Sequence, residues 1–560
     1  MEIETRIVSS LEKVFCSSHL KAEPLRYISA LKGERVSFQI AVRCKVECAA
    51  LQVDVADAPE ELKELITFRE VHSVPSLMPA VKADEYTLST EPGLFPDALL
   101  PVKKEIAISA ENWHAVWVSV DVPETARPGK YGLKFKVSFI SRYAHALWCK
   151  EPVLNAEEII ELEIVNAVLP EQELKVTHWF YSDCIQHHHK VSPWSEEHWR
   201  LLEKYFRNYA DHNNNLLLTP LWSVPLDMIP GQTTRPLSQL LRIAFDDGIW
   251  SFDFSRLERW ITTAQKCGIR NFEMVHAFSQ WGLKYAPEIM VEQKGKERPM
   301  FGISTSSNAP EYAAFLRALM KALLPFLKKH ALTPENCYFH ISDEPREADL
   351  ENYRYASELF REILEDYPVI DALSSPKFLQ LGLLDRPVPH EGELDEFMQE
   401  EVKERWVYYA GQWQEGMPGR QFGMPSLRNR VLGILLYVYG CDGFLEWGYN
   451  FWFSQFNRTW DVDVWQDSNC ERSFCSGGAY LVYPGPDGPI DSLRHEVIAE
   501  GFRDEMALRL LEKKTSREEV LKWIDEVTGY RISLRKYPRD EKWLLDLRNK
   551  LNQKIAELNS

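Results

Sequence analysis

Asp343 and Glu344 stand side by side in His340-Ile341-Ser342-Asp343-Glu344-Pro345. Neighbouring carboxyls repel when both are charged, so one keeps its proton to higher pH while the other ionises, and the pair offers an acid and a base in one place. The competing reading is structural, because an acidic dipeptide before proline often makes a turn and caps the following helix. The apolar run Cys337-Tyr338-Phe339-His340-Ile341 has strand length, Pro345 can neither continue a ladder nor let Glu344 turn helical, and residues 346–364 read as helix. The spacing therefore predicts a strand-to-helix loop, the end of a parallel sheet where α/β proteins keep their chemistry.

Such a loop needs a sheet around it. From about Glu173 the chain alternates strand and helix, with strand candidates at residues 174–180, 216–220, 271–276, 337–342, 369–373, 405–410, 443–447 and 479–483. Eight strands are what a closed βα barrel requires, and residues 383–388 form a ninth candidate that competes for one of the places. A doubly wound sheet would want a Gly-rich phosphate loop, and no GxGxxG or Walker sequence occurs. Before this region, residues 36–42, 114–120 and 159–165 alternate with period two and Arg127-Pro128-Gly129 marks a turn, which predicts a sandwich. After it, Trp543, Leu544, Leu547, Leu551, Ile555 and Leu558 recur at helical spacing, and Ser516 to Glu519 has capping-box form. The expected architecture is a multidomain α/β plus β chain: a β-sandwich over residues 1–170, a (β/α)8 TIM-like barrel over 171–495, and C-terminal helices over 496–560 that pack on the barrel.

Composition narrows the function. A formal charge of −18 with no Lys/Arg block excludes a nucleic-acid partner. No run approaches the length of a membrane span, and Met1-Glu2-Ile3-Glu4-Thr5-Arg6 lacks the apolar core of a signal, so a cytoplasmic protein is expected. Ten scattered cysteines fit reduced thiols rather than zinc. His187-His188-His189 sends its side chains apart with no carboxylate or Cys at ligand spacing and reads as a solvated loop. Neither a metal nor a cofactor is expected.

The strand ends carry Tyr181, Asp183, Trp222, His276, Gln280, Trp281, the acidic pair, Ser374, Tyr408, Trp447, Tyr449, Asn450 and Tyr483. One acidic pair among aromatics and amides is the profile of a sugar site, whereas phosphoryl transfer would want cations or a metal cage. A conventional glycosidase sets two carboxyls ~5 Å or ~6.5–9.5 Å apart across the bond, usually from different strands. Adjacent residues cannot easily straddle it. They suit a sugar whose own 2-acetamido carbonyl attacks the anomeric carbon while one carboxylate steadies the amide and the other protonates the leaving oxygen.

In these stretches the chain resembles glycoside hydrolase family 123, the β-N-acetylgalactosaminidases. The resemblance is carried by Ser342-Asp343-Glu344-Pro345, Trp406-Val407-Tyr408, Asp442-Gly443-Phe444-Leu445-Glu446-Trp447-Gly448-Tyr449-Asn450, Tyr483-Pro484-Gly485-Pro486-Asp487-Gly488 with Ser492-Leu493-Arg494, and Glu500-Gly501-Phe502-Arg503-Asp504, joined by Gln280-Trp281-Gly282 and Trp179-Phe180. It implies retaining release of terminal β-linked N-acetylgalactosamine through an oxazolinium intermediate, with Glu344 as acid/base and Asp343 orienting the acetamido N–H. It also implies that Tyr408 binds the acetamido oxygen and that Trp447, Tyr449, Asn450 and Trp281 form the pocket wall. On this reading Glu344 carries the raised pKa of the pair. His276 is either a contact to sugar hydroxyls or a core histidine. Tyr409 faces the other side of its strand, and Arg428 and Arg430 sit on a helix in salt bridges. The three-histidine segment and Tyr409-Ala410-Gly411 depart from the family pattern, and the missing export signal favours small glycosides or glycan fragments carrying a terminal 2-acetamido sugar. The alternatives are a hydrolase of another such sugar, β-GlcNAc, and a non-catalytic carbohydrate-binding protein on the same fold.

Overall fold

The computed structural model describes residues 3–16, 19–45, 49–102, 105–141, 154–228, 235–410 and 415–559, so Gly411 lies outside the described residues. The N-terminal part is built from two five-stranded sheets. One runs in the order Ile3–Ser9, Arg35–Cys44, His114–Asp121, Ile66–Ser76, Gly93–Pro101, and the other Tyr27–Lys32, Leu154–Val168, Gly129–Ser141, Ala49–Asp57, Ile106–Ala107. The period-two pattern explains how they meet: Phe38, Ile40, Val116 and Val118 of the first share one buried core with Leu133, Phe135, Ile160 and Leu162 of the second. Register places Phe38 opposite Val118 and Ile40 opposite Val116.

Eight short parallel strands follow: β1 (Lys175–His178), β2 (Leu216–Thr219), β3 (Asn271–Met274), β4 (Cys337–Phe339), β5 (Asp371–Ala372), β6 (Pro387–Val388), β7 (Trp406–Tyr408) and β8 (Gly443–Glu446). They form three ladders, β1–β8–β7, β2–β3–β4 and β5–β6. Single bridges, Phe339 to Val369 and His390 to Tyr408, link one ladder to the next. The closed barrel expected from the sequence is not shown as one continuous sheet, because β5 and β6 are only two residues long and neighbouring ladders meet at isolated bridges. One expected strand also changes place. The candidate at 479–483 contributes to Val482–Gly485, which folds straight back on Gly488–Asp491 as an antiparallel hairpin through Pro486-Asp487, while the competing candidate at 383–388 supplies β6.

Helices Glu196–Asp211, Ser255–Lys266, Pro310–Lys329, Leu350–Ile363 and Leu427–Tyr439 separate the strands. The helix Leu427–Tyr439 crosses Leu493–Lys514 at Gly433 and Gly501, where a Cβ on Gly433 would stand 1.7 Å from the Gly501 carbonyl oxygen. The boundary expected at residue 495 falls inside Leu493–Lys514. Ser516 caps the helix Arg517–Thr528 by accepting from the Glu519 N–H. Helix Glu541–Glu557 buries Leu544, Leu547, Leu551 and Ile555, half-buries Trp543 and leaves Leu558 exposed. It reaches past the expected surface to the N-terminal sheets, where Arg548 pairs with Glu34 and the Asn552 amide donates to Ser29 Oγ. No described helix is long and apolar enough to cross a membrane.

Candidate active site

A cavity of about 500 Å³ opens at the C-terminal ends of the parallel strands. Each strand sends at least one residue to it: Trp179 and Tyr181 after β1, Asp227 after β2, Gln280 and Trp281 after β3, Asp343 and Glu344 after β4, Ala372 of β5, His390 after β6, Tyr408 of β7 and Trp447 after β8. Met78 and Val81 of the N-terminal region join the wall.

Consecutive residues of an extended chain point to opposite faces, so an acidic dipeptide would ordinarily divide. Here Glu344 adopts φ 48° and the backbone turns, bringing both carboxyls to the same cavity. A left-handed non-glycine residue costs about 1–2 kcal/mol, so the turn must be held from outside. Glu344 N–H donates to the Ala372 carbonyl at 3.0 Å, and Trp281 N–H donates to the Asp343 carbonyl at 3.0 Å.

The two carboxyls live differently. Asp343 is 4% exposed and accepts from Gln280 Nε2, whose own Oε1 accepts from the Asp227 N–H at 2.7 Å. Burial and then the Glu344 charge push the Asp343 carboxyl well above its ordinary range, opposed by the Gln280 hydrogen bond and the His340 charge. Glu344 is half-buried and accepts from Tyr408 OH at 2.7 Å and from Trp281 Nε1 at 3.1 Å. The sequence reading did not anticipate that Asp343 would be held up; it lies deeper than Glu344 and has fewer donors. Burial and then Glu344 raise the Tyr408 phenol too, which keeps it a donor. In this structure that donor is spent on Glu344.

Beneath the pair sits a buried charged network. His340 Nε2 lies 2.7 Å from Glu273 Oε2 and its Nδ1 3.5 Å from Asp371 Oδ1. Burial alone would lower this imidazole, but the Asp371 and Glu273 carboxylates beside it raise it to about 9. Asp371 in turn accepts from the Ile341 N–H at 3.0 Å, the Ser342 N–H at 3.3 Å and Tyr353 OH at 2.6 Å. One carboxylate thus pins the chain immediately before the acidic pair.

Among the residues read from the sequence, Asp343, Glu344, Tyr408, Trp447 and Trp281 line the cavity, and His276, Tyr449 and Asn450 do not. His276 is fully buried, stacked on His340 with ring centroids 4.3 Å apart and edge-on to Trp179 at 5.0 Å. Tyr449 stacks on Phe180 and donates to Asn208 Oδ1 at 2.7 Å, since the chain after Trp447 turns its ring toward the helix Glu196–Asp211. Asn450 grips the backbone of Tyr181, accepting from its N–H at 2.8 Å and donating to its carbonyl at 2.9 Å. It positions a wall residue without touching the space.

Sequence reasoning missed His390, Asp227, Met78 and Val81. His390 follows β6, two residues past the ninth candidate; burial lowers its imidazole, whose ring meets Tyr408 edge-on at 5.1 Å. Asp227 accepts from the Phe456 N–H at 2.7 Å, and burial lifts its carboxyl to about 6. A β2 end followed by Pro220 to Asp227 was the only signal for it.

The histidine run closes the helix Ser182–His188 instead of forming a loop, with His187 on Asp461 at 2.9 Å and His189 on Tyr205 at 3.0 Å. Among the described residues, His212, Asp491 and His495 come close enough to suggest a metal. Asp491 pairs with Arg69 through Oδ2 at 2.9 Å and accepts from Asn208 through Oδ1 at 2.6 Å. Arg428 pairs with Asp84 and Arg430 with Asp504 and Glu500, while Tyr409 packs on Phe444.

Comparison with known proteins finds the model of the glycoside hydrolase 123 catalytic domain over residues 179–511 and that of the glycoside hydrolase 123 N-terminal domain over residues 18–139. No curated protein matches. The fold is similar to a family 123 glycoside hydrolase from Clostridium perfringens, solved to detail glycolipid glycan hydrolysis, at 14% identity and a TM-score of 0.71, covering 100% of this chain and 98% of that one. A glycosyl hydrolase family 2 member from Bacteroides cellulosilyticus aligns at 10% identity over 75% of this chain and 44% of its own, with a TM-score of 0.25. With both halves of the chain matched by the models of one family, the protein belongs to glycoside hydrolase family 123.

Proposed function

We propose that this glycosidase is an exo-acting, retaining β-N-acetylgalactosaminidase that uses the substrate's acetamido group as nucleophile. The observation that carries the reading is the left-handed turn at Glu344, which aims two adjacent carboxyls into one cavity. The acetamido carbonyl oxygen attacks C1, Glu344 gives its proton to the departing glycosidic oxygen, and an oxazolinium ion forms. Glu344 then takes a proton from water as the oxygen of that water attacks C1 and reopens the ring with retention. Asp343 accepts the acetamido N–H and balances the positive charge that grows on the amide. A proton held on the free pair passes to Glu344 once that N–H stabilises the Asp343 carboxylate. Tyr408 exchanges its bond to Glu344 for one to the acetamido oxygen, leaving Glu344 with Trp281 and free to act as acid.

The same reading includes a β-sandwich over residues 1–170 and a (β/α)8 barrel beginning at 171, supported by eight parallel strands that each reach the cavity. It also includes a cytoplasmic setting and small glycosides or glycan fragments as substrates. The experiment is release of chromophore from an aryl β-GalNAc glycoside, with Glu344→Gln and Asp343→Asn each cutting turnover by at least about 100-fold. Full activity in Asp343→Asn sinks the substrate-assisted mechanism and favours a conventional partnership with Asp227, the other carboxyl in the cavity. Faster turnover of the β-GlcNAc epimer reassigns the sugar, and calorimetric binding with no turnover makes the chain a carbohydrate-binding protein.

A further inference from the structure

The segment between strands Ile66–Ser76 and Gly93–Pro101 leaves the N-terminal sheets and runs along the catalytic part. Its backbone is clamped there. Leu77 and Met78 N–H donate to Asn469 Oδ1 at 2.9 and 3.2 Å, and the Met78 carbonyl accepts from Ser476 N–H at 3.0 Å. Val81 N–H donates to Gln421 Oε1 at 3.0 Å, and Gly423 N–H donates to the Pro79 carbonyl at 2.7 Å. The approach is so close that a Cβ on Gly423 would lie 2.2 Å from the Ser89 carbonyl oxygen. With the backbone clamped on both sides, Met78 and Val81 are held in place as part of the cavity wall.

Depth decides which part of a glycoside they meet. Asp343 and Tyr408, which the proposed chemistry assigns to the acetamido group, are 4% and 6% exposed. Met78 and Val81 are half-buried, and Leu77 beside them is 55% exposed, so this segment lies toward the mouth, where the leaving group must emerge. We propose that Met78 and Val81 are specificity-determining residues for the leaving group, selecting one that presents an apolar face, and that the N-terminal region thereby completes the active site in the same chain. The inference rests on the glycosidase reading above and adds the leaving-group side to it.

The test compares nitrophenyl and methyl β-N-acetylgalactosaminides on the parent and on a Met78→Ser, Val81→Ser double variant. The expected result is a fall of about tenfold in the aryl-to-methyl ratio of kcat/KM, with the inhibition constant of a GalNAc-thiazoline, which has no leaving group, held within about twofold. Equal loss on both glycosides, or no loss, overturns the inference while leaving the glycosidase reading in place. A parent inert on both overturns that reading and this one with it. Should the double variant unfold, Val81→Ser alone is expected to lower the ratio and Met78→Leu, which keeps the volume, to preserve it; the opposite pattern refutes the assignment.

Discussion

Replacing His340 by Gln tests whether a buried imidazolium underpins the site. The ring is fully buried, and the two carboxylates at 2.7 and 3.5 Å raise it to about 9 from an ordinary 6.5. A histidine raised on folding stabilises fully below its unfolded pKa, and the contribution is lost as pH rises through the folded value; here that amounts to about 3 kcal/mol, present at pH 6.5 and nearly gone by pH 9.5. Glutamine does not titrate. Urea melts of parent and His340→Gln followed at both pH values should therefore show a stability gap that shrinks by about 3 kcal/mol on going to the alkaline buffer. Groups away from the ring cancel in the difference, whereas Asp371 and Asp343, which the imidazolium lowers, shift upward in the variant and both act on its acid side. A gap equal at the two pH values would refute the charged assignment and leave His340 as a neutral packing residue. Because Asp371 also receives the N–H groups of Ile341 and Ser342, the variant should lose turnover by about tenfold with KM changed less, as expected when an oriented group loosens without loss of contacts to substrate.

Two further changes have opposite signs. Burial and Glu344 hold the Asp343 carboxyl above its ordinary 3.8, so above pH 3.8 the folded state carries a penalty that is absent in acid; Asp343→Asn removes it while Gln280 can still donate to the new carbonyl. The variant should melt higher than the parent at pH 7 despite its loss of turnover, and a lower melting temperature contradicts the buried-penalty argument. Gly433→Ala drives a methyl into the Gly501 carbonyl 1.7 Å away, and forcing the two helices apart should cost about 1–3 kcal/mol, seen as a lower urea midpoint; an unchanged midpoint would mean the crossing is loose.

What was legible in the sequence follows from how local each signal is. The acidic pair was found because an apolar run, two carboxyls and a proline fit within a few residues, and seven of the eight parallel strands coincide with apolar runs of the same kind. β6 was legible only as the competing candidate at 383–388, whereas 479–483 has the composition of a strand and only the Pro486-Asp487 turn sends it into a hairpin. Strand-end reasoning locates a residue along the chain but not around it. Trp447 faces the cavity, yet Tyr449 two positions on faces Phe180, because the chain has left the strand and its alternation by then. Met78 and Val81 had no local signal at all: their place depends on Asn469 and Gln421, several hundred residues away.

In the proposed mechanism the division of labour between the two acids depends on a balance that neither residue sets alone. Asp343 must be buried enough for the pair to keep a proton, yet must become an anion when an amide N–H arrives. Burial and Glu344 supply the first condition, and Asp371 beneath adds its negative charge to them. Were these the only influences, the proton would stay on Asp343 and Glu344 would have none to give. His340 works against them from inside the sheet, and Gln280 does so from the cavity side. The imidazolium in turn exists only because Glu273 and Asp371 raise it. On that mechanism the buried triad is the counterweight that lets an acidic dipeptide act as one acid and one anion, beside the pH-dependent stability that its imidazolium contributes.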